Sequence, residues 1–328
     1  MVISHISEGL GNQMFQYAAG RRLSYHLGTT LKLDDYHYRL HPFRSFQLDR
    51  FLITSPIATD AEISHLCPLE GLARAIRARL PGKLRGATLR LLGNLGLGSP
   101  YQPRLHSFKE ETPKQPLLIG KVVSERHFHF DPDVLECPDN VCLVGYWQDE
   151  RYFGEIRDIL LRELTLKSPP AGATKAVLER IQRSSSVSLH VRRGDKTKSS
   201  SYHCTSLEYC LAAMSEMRAR LQAPTFFVFS DDWDWVREQI PCSSSVIHVD
   251  HNRAEDVSED FRLMKSCDHH IIASSSLSWW AAWLGTNENS FVFSPPADRW
   301  LNFSNHFTAD VLPPHWIQLD GSSLLPAQ

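Results

Sequence analysis

The sequence predicts an α/β protein built from two domains. Three observations predict it. The amino terminus reads strand, glycine loop, helix, strand; the stretch after residue 174 alternates β-branched or aromatic runs with helical patterns; and 328 residues suit two cores of roughly 150 residues better than one. A composition of 42% hydrophobic and 22% charged residues supports burial on that scale and excludes the disordered and fibrous classes.

Residues 2–6 read as the first strand. Glu8-Gly9-Leu10-Gly11-Asn12 then turns into a helix running to about Leu27, with Asn12 as its cap and Gly28 as its stop. Thr30-Leu31-Lys32-Leu33 returns as a strand. A helical run from Arg151 to Leu166 leads to Ser168-Pro169-Pro170-Ala171-Gly172-Ala173, the clearest linker signal in the chain. The expected organisation is an amino-terminal domain over 1–167, a carboxy-terminal domain over 174–300, and a segment 301–328 that returns to the first domain. Within the second domain, strands are expected at 187–191, 225–229, 246–249, 270–274 and 291–293, with helices at 207–221, after Asp231, near 256–267 and from Leu277. Such alternation implies a parallel sheet covered on both faces.

Thirty-five basic against thirty-seven acidic residues give a net charge of −2, so the chain has no reason to coat nucleic acid and any anion site must be local. The exception is 71–105, with seven Lys or Arg and no acid. It reads either as a face for an anionic membrane surface or as a solvated basic face whose stems cover the core. With no run of eighteen apolar residues and no leader-peptide pattern, a cytoplasmic protein is expected. The seven cysteines show no CxxC and are expected as free thiols. His127-x-His129 and His269-His270 lack further ligands at metal spacing, so these histidines are expected to be structural, with no metal bound.

Polar clusters are sought beyond the carboxyl ends of parallel strands, where ligands sit in open sheets. His190-Val191-Arg192-Arg193-Gly194-Asp195-Lys196 lies at one such end and reads as an anion site or as ordinary surface arginines. Because side chains alternate along a strand, His190 and Arg192 are expected on one face and Arg193 on the other, with Arg193 bracing the loop. Ser274-Ser275-Ser276-Leu277-Ser278-Trp279-Trp280 opens a helix after another strand; Ser275 and Ser276 there serve a phosphate or simply cap the helix, and the tryptophans are expected in the core. Asp260, on the preceding helix, is either a guanine acceptor or a solvated acid. Gly9-x-Gly11 is a weak dinucleotide fingerprint because Met14 stands at the third glycine position. Ser230-Asp231-Asp232 suggests a metal pair only superficially.

Taken together, these motifs resemble the inverting α-1,2-fucosyltransferases of glycosyltransferase family 11. The passages that carry the resemblance are Glu8-Gly9-Leu10-Gly11-Asn12-Gln13-Met14-Phe15-Gln16-Tyr17-Ala18, His190–Asp195, and Ser275–Leu284, with Ser274 and Leu277 standing where the family usually has Asn and Phe. The resemblance implies a GT-B fold, two Rossmann-like domains facing a cleft, with GDP-β-L-fucose as donor and a galactose-containing glycan as acceptor. It implies contacts from Arg192 to the diphosphate, His190 to the nucleoside, Asp260 to guanine and Ser276 to phosphate. Arg193, Ser275, Gly11 and Asn12 join the expected donor site. Departure of GDP leaves negative charge on the diphosphate, which fixed arginines stabilise without a metal, so no cofactor is expected. Asp195 is the candidate base for the acceptor hydroxyl, or else a brace for the arginines. Three alternatives remain: an α-1,6 or protein-directed fucosyltransferase, a non-catalytic carbohydrate-binding protein, and a nucleotide-dependent oxidoreductase using Asp34 or Asp35. A bacterial enzyme of surface-polysaccharide assembly, peripheral to the inner membrane through 71–105, is the expected setting.

Overall fold

The computed structural model describes residues 1–41, 44–94, 117–119, 121–125, 128–194, 197, 203–300 and 309–320. The chain divides into two compact units, one of Met1–Phe46 with Ile53–Leu160, the other of Gln47–Leu52 with Leu161–Gln328.

The first unit carries a five-stranded sheet of β1 (Val2–His5), β2 (Leu31–Asp34), β3 (Leu117–Ile119), β4 (Val122–Ser124) and β5 (Val141–Val144) in the order β2-β1-β5-β4-β3. All neighbours are parallel except β3 and β4. Every residue of β1 is buried, as a central strand covered on both faces requires. Helix α1 (Leu10–His26) packs tightly on it: a Cβ on Gly20 would stand 3.0 Å from Ser4 Cβ and 2.9 Å from Leu31 Cδ1. Past its end Gly28 takes the left-handed φ of 61° that stops the helix. The start differs from expectation, since Gly9 is the cap residue and Asn12 lies inside the first turn. The unit also holds α2 (Tyr36–Leu40), α3 (Asp60–Leu66), α4 (Pro68–Arg79) and α5 (Gly82–Asn94). Thr59 and Glu62 form a reciprocal capping box at the start of α3.

Helix α6 (Arg157–Glu163) contains the chain division. The second unit has β6 (Ser186–Val191), β7 (Thr225–Ser230), β8 (Val246–His248), β9 (His269–Ile271), β10 (Val292–Ser294) and β11 (Ile317–Gln318), all parallel, in the order β11-β10-β9-β6-β7-β8. Helices α7 (Gly172–Ile181), α8 (Leu207–Arg220), α9 (Trp233–Gln239), α10 (Val257–Lys265) and α11 (Ser276–Trp283) complete it. Its core joins Val187, Leu189, Val191, Phe226, Val228 and Ile271 to the inward face of α8. The α/β expectation is met, and the second unit's sheet is parallel throughout as expected.

Three expectations are corrected. The division does not fall at 168–173; that stretch lies within the second unit, because Leu52 N–H donates to Thr165 O and Lys167 N–H to Arg50 O, both at 2.9 Å, binding 47–52 to it. The carboxy-terminal segment does not return to the first unit over its described residues, since β11 extends the second sheet beside β10. Finally, Cys67 and Cys142, expected as thiols, form a disulfide across 75 residues where the end of α3 meets β5, while Cys137, Cys204, Cys210, Cys242 and Cys267 are free.

Candidate functional site

In the second unit the chain builds β6, β7 and β8 outward in one direction, then β9, β10 and β11 in the other. The reversal lies between β6 and β9, and beyond the carboxyl ends of such a strand pair an open α/β sheet leaves a crevice for ligands. Two of the sequence clusters arise there. His190, next to last in β6, is buried, and Arg192, Arg193 and Gly194 follow the strand; Ser274, Ser275 and Ser276 follow β9 and lead into α11.

The two arginines have different surroundings. Arg192 pairs with Asp231, and its backbone N–H donates to Thr205 Oγ1 at 3.0 Å. Arg193 donates from Nη1 to Thr205 O at 2.8 Å, lies 3.5 Å from Asp232, and stacks its guanidinium 4.3 Å from the centre of the Trp235 ring. Arg193 is thus tied into the loop, but β6 ends at Val191, so the strand alternation expected to set the faces of Arg192 and Arg193 does not reach them. Asp231 also accepts from the Arg193 N–H at 2.8 Å, and a Cβ on Gly194 would stand 2.8 Å from its carboxylate, so a side chain there would have to displace it. The sequence signal for Asp231 was its place just after β7: parallel pairing of Val191 with Ser230 sets the residues after each strand side by side.

At the start of α11 the extended Ser275 is the cap residue, with no hydrogen bond from its side chain to the helix. The first amides of the helix have no carbonyl one turn earlier and point outward with the positive end of the helix dipole. Ser278 Oγ donates to Ser275 O at 3.2 Å and Ser274 Oγ to Arg299 O at 2.9 Å, so these two hydroxyls hold the loop. Trp279 and Trp280 are fully buried, as expected; Trp279 stacks on Trp283 and donates from its indole to Val311 O at 2.7 Å.

Asp260 accepts from Asn252 Nδ2 at 2.7 Å. Burial, reinforced by Asp256 and Glu259 and opposed by the Asn252 bond, pushes its carboxyl up to about 6. A concavity lined by Arg180, Arg183 and Ser184 lies by Thr225 at the opposite, amino-terminal end of β7 and does not belong to the crevice.

In the first unit the chain passes from β1 outward to β2, then enters at the far edge with β3 and returns through β4 to β5 beside β1; a small pocket opens at the carboxyl ends of β1 and β5, lined by His5, Ser7, Glu8, His37, Gly145 and Tyr146. Gln13 Nε2 donates to the carbonyls of Glu8 and Ser45, while Gln16 accepts from Ser7 N–H and donates to Ser7 Oγ, so the two glutamines of the opening motif clamp the loop. Behind the pocket, His5 Nδ1 stands 3.4 Å from Asp34, and Asp34 pairs with Arg74, which Glu70 holds at 3.0 Å. Burial raises the Asp34 carboxyl, but His5 and Arg74 outweigh it and hold the group below the usual range. On the other side of the loop, Glu125 accepts the backbone N–H groups of Tyr146 and Trp147.

A model of the family described as "Glycosyl transferase family 11" matches residues 105–319, which spans the whole second sheet. The chain belongs to glycosyltransferase family 11. Among its relatives, an α-1,2-colitosyltransferase of Escherichia coli is 28% identical over 98% of this chain and 99% of that protein. The O-antigen biosynthesis glycosyltransferase WbnK of Escherichia coli is 27% identical over 96% and 99%. Galactoside α-(1,2)-fucosyltransferase 1 of Leontopithecus chrysomelas is 28% identical over 64% of this chain and 59% of that protein.

Of the expected site residues in this family 11 glycosyltransferase, His190, Arg192, Arg193, Ser275 and Ser276 meet at one sheet edge, and Asp260 lies on the helix leading to β9. Gly11 and Asn12 belong to the first unit, where Asn12 accepts from Gln148 Nε2 at 2.9 Å instead of capping α1. Asp195 lies outside the described residues. His269 and His270 are structural: His270 Nδ1 meets Ser188 Oγ at 2.9 Å and His269 Nδ1 accepts from Phe291 N–H. In the basic segment, Arg74 and Arg77 are tied to Glu70, which leaves Arg79, Lys83, Arg85 and Arg90 exposed among its described residues, where no helix is long and apolar enough to cross a membrane. Sequence reasoning missed His5, Asp231 and Gly145, because each acquires meaning only from a strand distant in sequence.

Proposed function

We propose that this chain is an inverting glycosyltransferase that moves L-fucose from GDP-β-L-fucose to the 2-hydroxyl of a β-galactoside in a bacterial surface polysaccharide. The observation that carries the reading is the pairing of β6 with β9, which sets Arg192, following one strand, and the opening of α11, following the other, at the same carboxyl edge of the sheet. Arg192 exchanges Asp231 for the diphosphate, whose charge exceeds that of one carboxylate, and the helix start takes a second phosphate oxygen. Asp260 accepts from the guanine edge, and His190 packs against the nucleoside. As the fucose–phosphate bond breaks, charge grows on the diphosphate, so these groups bind the transition state more tightly than the ground state and a divalent metal is not needed. Inversion follows from attack by the acceptor oxygen on the face opposite GDP, with Asp195 as the sequence-based candidate for the proton.

The full-length similarity to a colitosyltransferase favours a second donor, a GDP-linked 3-deoxy analogue of fucose. Incubation with GDP-fucose and GDP-colitose in parallel, against a panel of β-galactosides, decides between them. Fucose at O2 supports the first reading, colitose at O2 replaces the donor, and a linkage at O6 replaces the regiochemistry. The exposed Leu84 and Leu91 of α5, flanked by Lys83, Arg85 and Arg90, support contact with an anionic membrane that presents the acceptor.

A further inference from the structure

We propose that Asp231 is a resident counter-anion: one carboxylate oxygen shapes the loop after β6, and the other holds the Arg192 guanidinium until a diphosphate takes its place, then meets it again as GDP leaves. This role rests on the GDP-sugar reading above and governs how tightly the site holds its product.

Parallel pairing sets Val191 beside Ser230, so the chain leaves β6 and β7 side by side. The turn after β7 is fixed around Asp231: the Asp232 N–H donates to Ser230 Oγ at 2.9 Å, and the Asp232 side chain caps α9 by accepting from the Trp235 N–H. From that turn Asp231 uses both oxygens. Oδ1 accepts from the Arg193 N–H at 2.8 Å, and Oδ2 accepts from Arg192 Nη1. The loop closes down on the same carboxylate, which a Cβ on Gly194 would meet at 2.8 Å. Arg193 is engaged elsewhere, by Thr205 O, Asp232 and the Trp235 ring.

This ion pair differs from the buried one in the first unit. Arg74 and Asp34 keep 7% and 2% of their side-chain surface, whereas Arg192 and Asp231 keep 25% each, so only the second pair is open to a dissolved anion. An ion pair open to water contributes little stability, and a diphosphate outcompetes a single carboxylate for a planar guanidinium. A ligand that must take Arg192 from Asp231 binds more weakly by the fraction of sites in which the guanidinium is already available, while a ligand without phosphate is unaffected. The same competition favours departure of GDP after transfer.

Calorimetry on the full chain, with GDP, inorganic pyrophosphate and guanosine as separate probes, tests this. Asp231→Asn keeps an oxygen for the Arg193 N–H and removes the competing charge, so GDP should bind at least about threefold more tightly, with guanosine unchanged. Asp231→Ala also releases the Arg193 N–H and should bind GDP more weakly than Asp231→Asn. Asp232→Asn removes one negative charge on the Arg193 side of the same turn and should not tighten GDP. A purely structural role would lower the affinity in Asp231→Asn, so a smaller gain, no change or a loss there overturns the proposal. So does an equal gain in Asp232→Asn, which would mark a general effect of charge, or equal affinities in Asp231→Asn and Asp231→Ala, which would remove the loop-shaping role. If pyrophosphate follows this pattern while GDP binds to neither wild type nor variant, the nucleotide reading fails and the counter-anion stands. If neither probe binds to either protein, the counter-anion fails as well.

Discussion

The two units share a plan and differ in what they place on it. Each gathers polar groups at the carboxyl ends of two neighbouring parallel strands, β1 and β5 in the first and β6 and β9 in the second, but only the second sheet builds outward in both directions from that pair. The second unit sets arginines and a helix start there, groups that hold charge permanently. The first sets His5 against Asp34, with Arg74 and Glu70 behind it. The difference teaches that the sheet supplies the place, while the residues ending two strands decide which charges stand there.

The comparison is broken most severely at Arg192. Arg192→Lys keeps a charge but loses the planar grip, and turnover should fall by about 2.7–4 kcal/mol of transition-state stabilisation, the scale of one lost oxyanion donor. Arg193→Lys should lose less, because Arg193 is engaged by Thr205, Asp232 and Trp235. Steady-state kinetics on the two variants checks this, and equal losses would remove the distinction between them.

Asp260→Ala comes next, with GDP affinity falling by about 1.5–3 kcal/mol and the preference over ADP shrinking, as calorimetry would show. The wild type supplies a pH test. In the proposed site it is the ionised carboxylate, raised to about 6, that accepts from guanine, so the preference should be full above that pH and fade as pH falls through it. Folding runs the other way: a carboxyl raised from its ordinary 3.8 to about 6 makes stability decline as pH rises across that window. Asp260→Asn should therefore melt higher at pH 8 while discriminating guanine less.

A smaller effect separates the units by packing. Gly145→Ala brings a Cβ to 2.4 Å from Glu125 and 2.8 Å from Trp147, and should cost about 1–3 kcal/mol in denaturant unfolding. Gly285→Ala meets His270 Nε2 at 3.0 Å and should cost less. The smallest expected effect is none at all: transfer rates unchanged in EDTA, since the proposed chemistry relies on Arg192 and the α11 amides for charge. Loss in EDTA with recovery in Mn²⁺ would remove that role from the arginine.

Much of the second unit was legible in the sequence because its signals are local. Its strands from Ser186–Val191 to Val292–Ser294 carry β-branched or aromatic residues between polar loops, and the candidate anion-site residues follow β6 and β9 directly. The opening strand, helix and strand of the first unit were equally legible, with Gly28 ending α1 as read. The three-residue strands Leu117–Ile119 and Val122–Ser124 gave no periodic signal, being too short to show one.

The sequence by itself determined the α/β class, the family 11 motifs and the residues that carry fixed charge, since each depends on neighbours a few positions away. Only the tertiary structure decided that Asp231 pairs with Arg192 across 39 residues, that Asp34 faces His5 across 29, and that Cys67 meets Cys142 across 75. The physical reason is strand order. A parallel sheet sets side by side the ends of strands that the chain visits far apart, and which strands become neighbours is fixed by burial of the whole core, not by any local pattern.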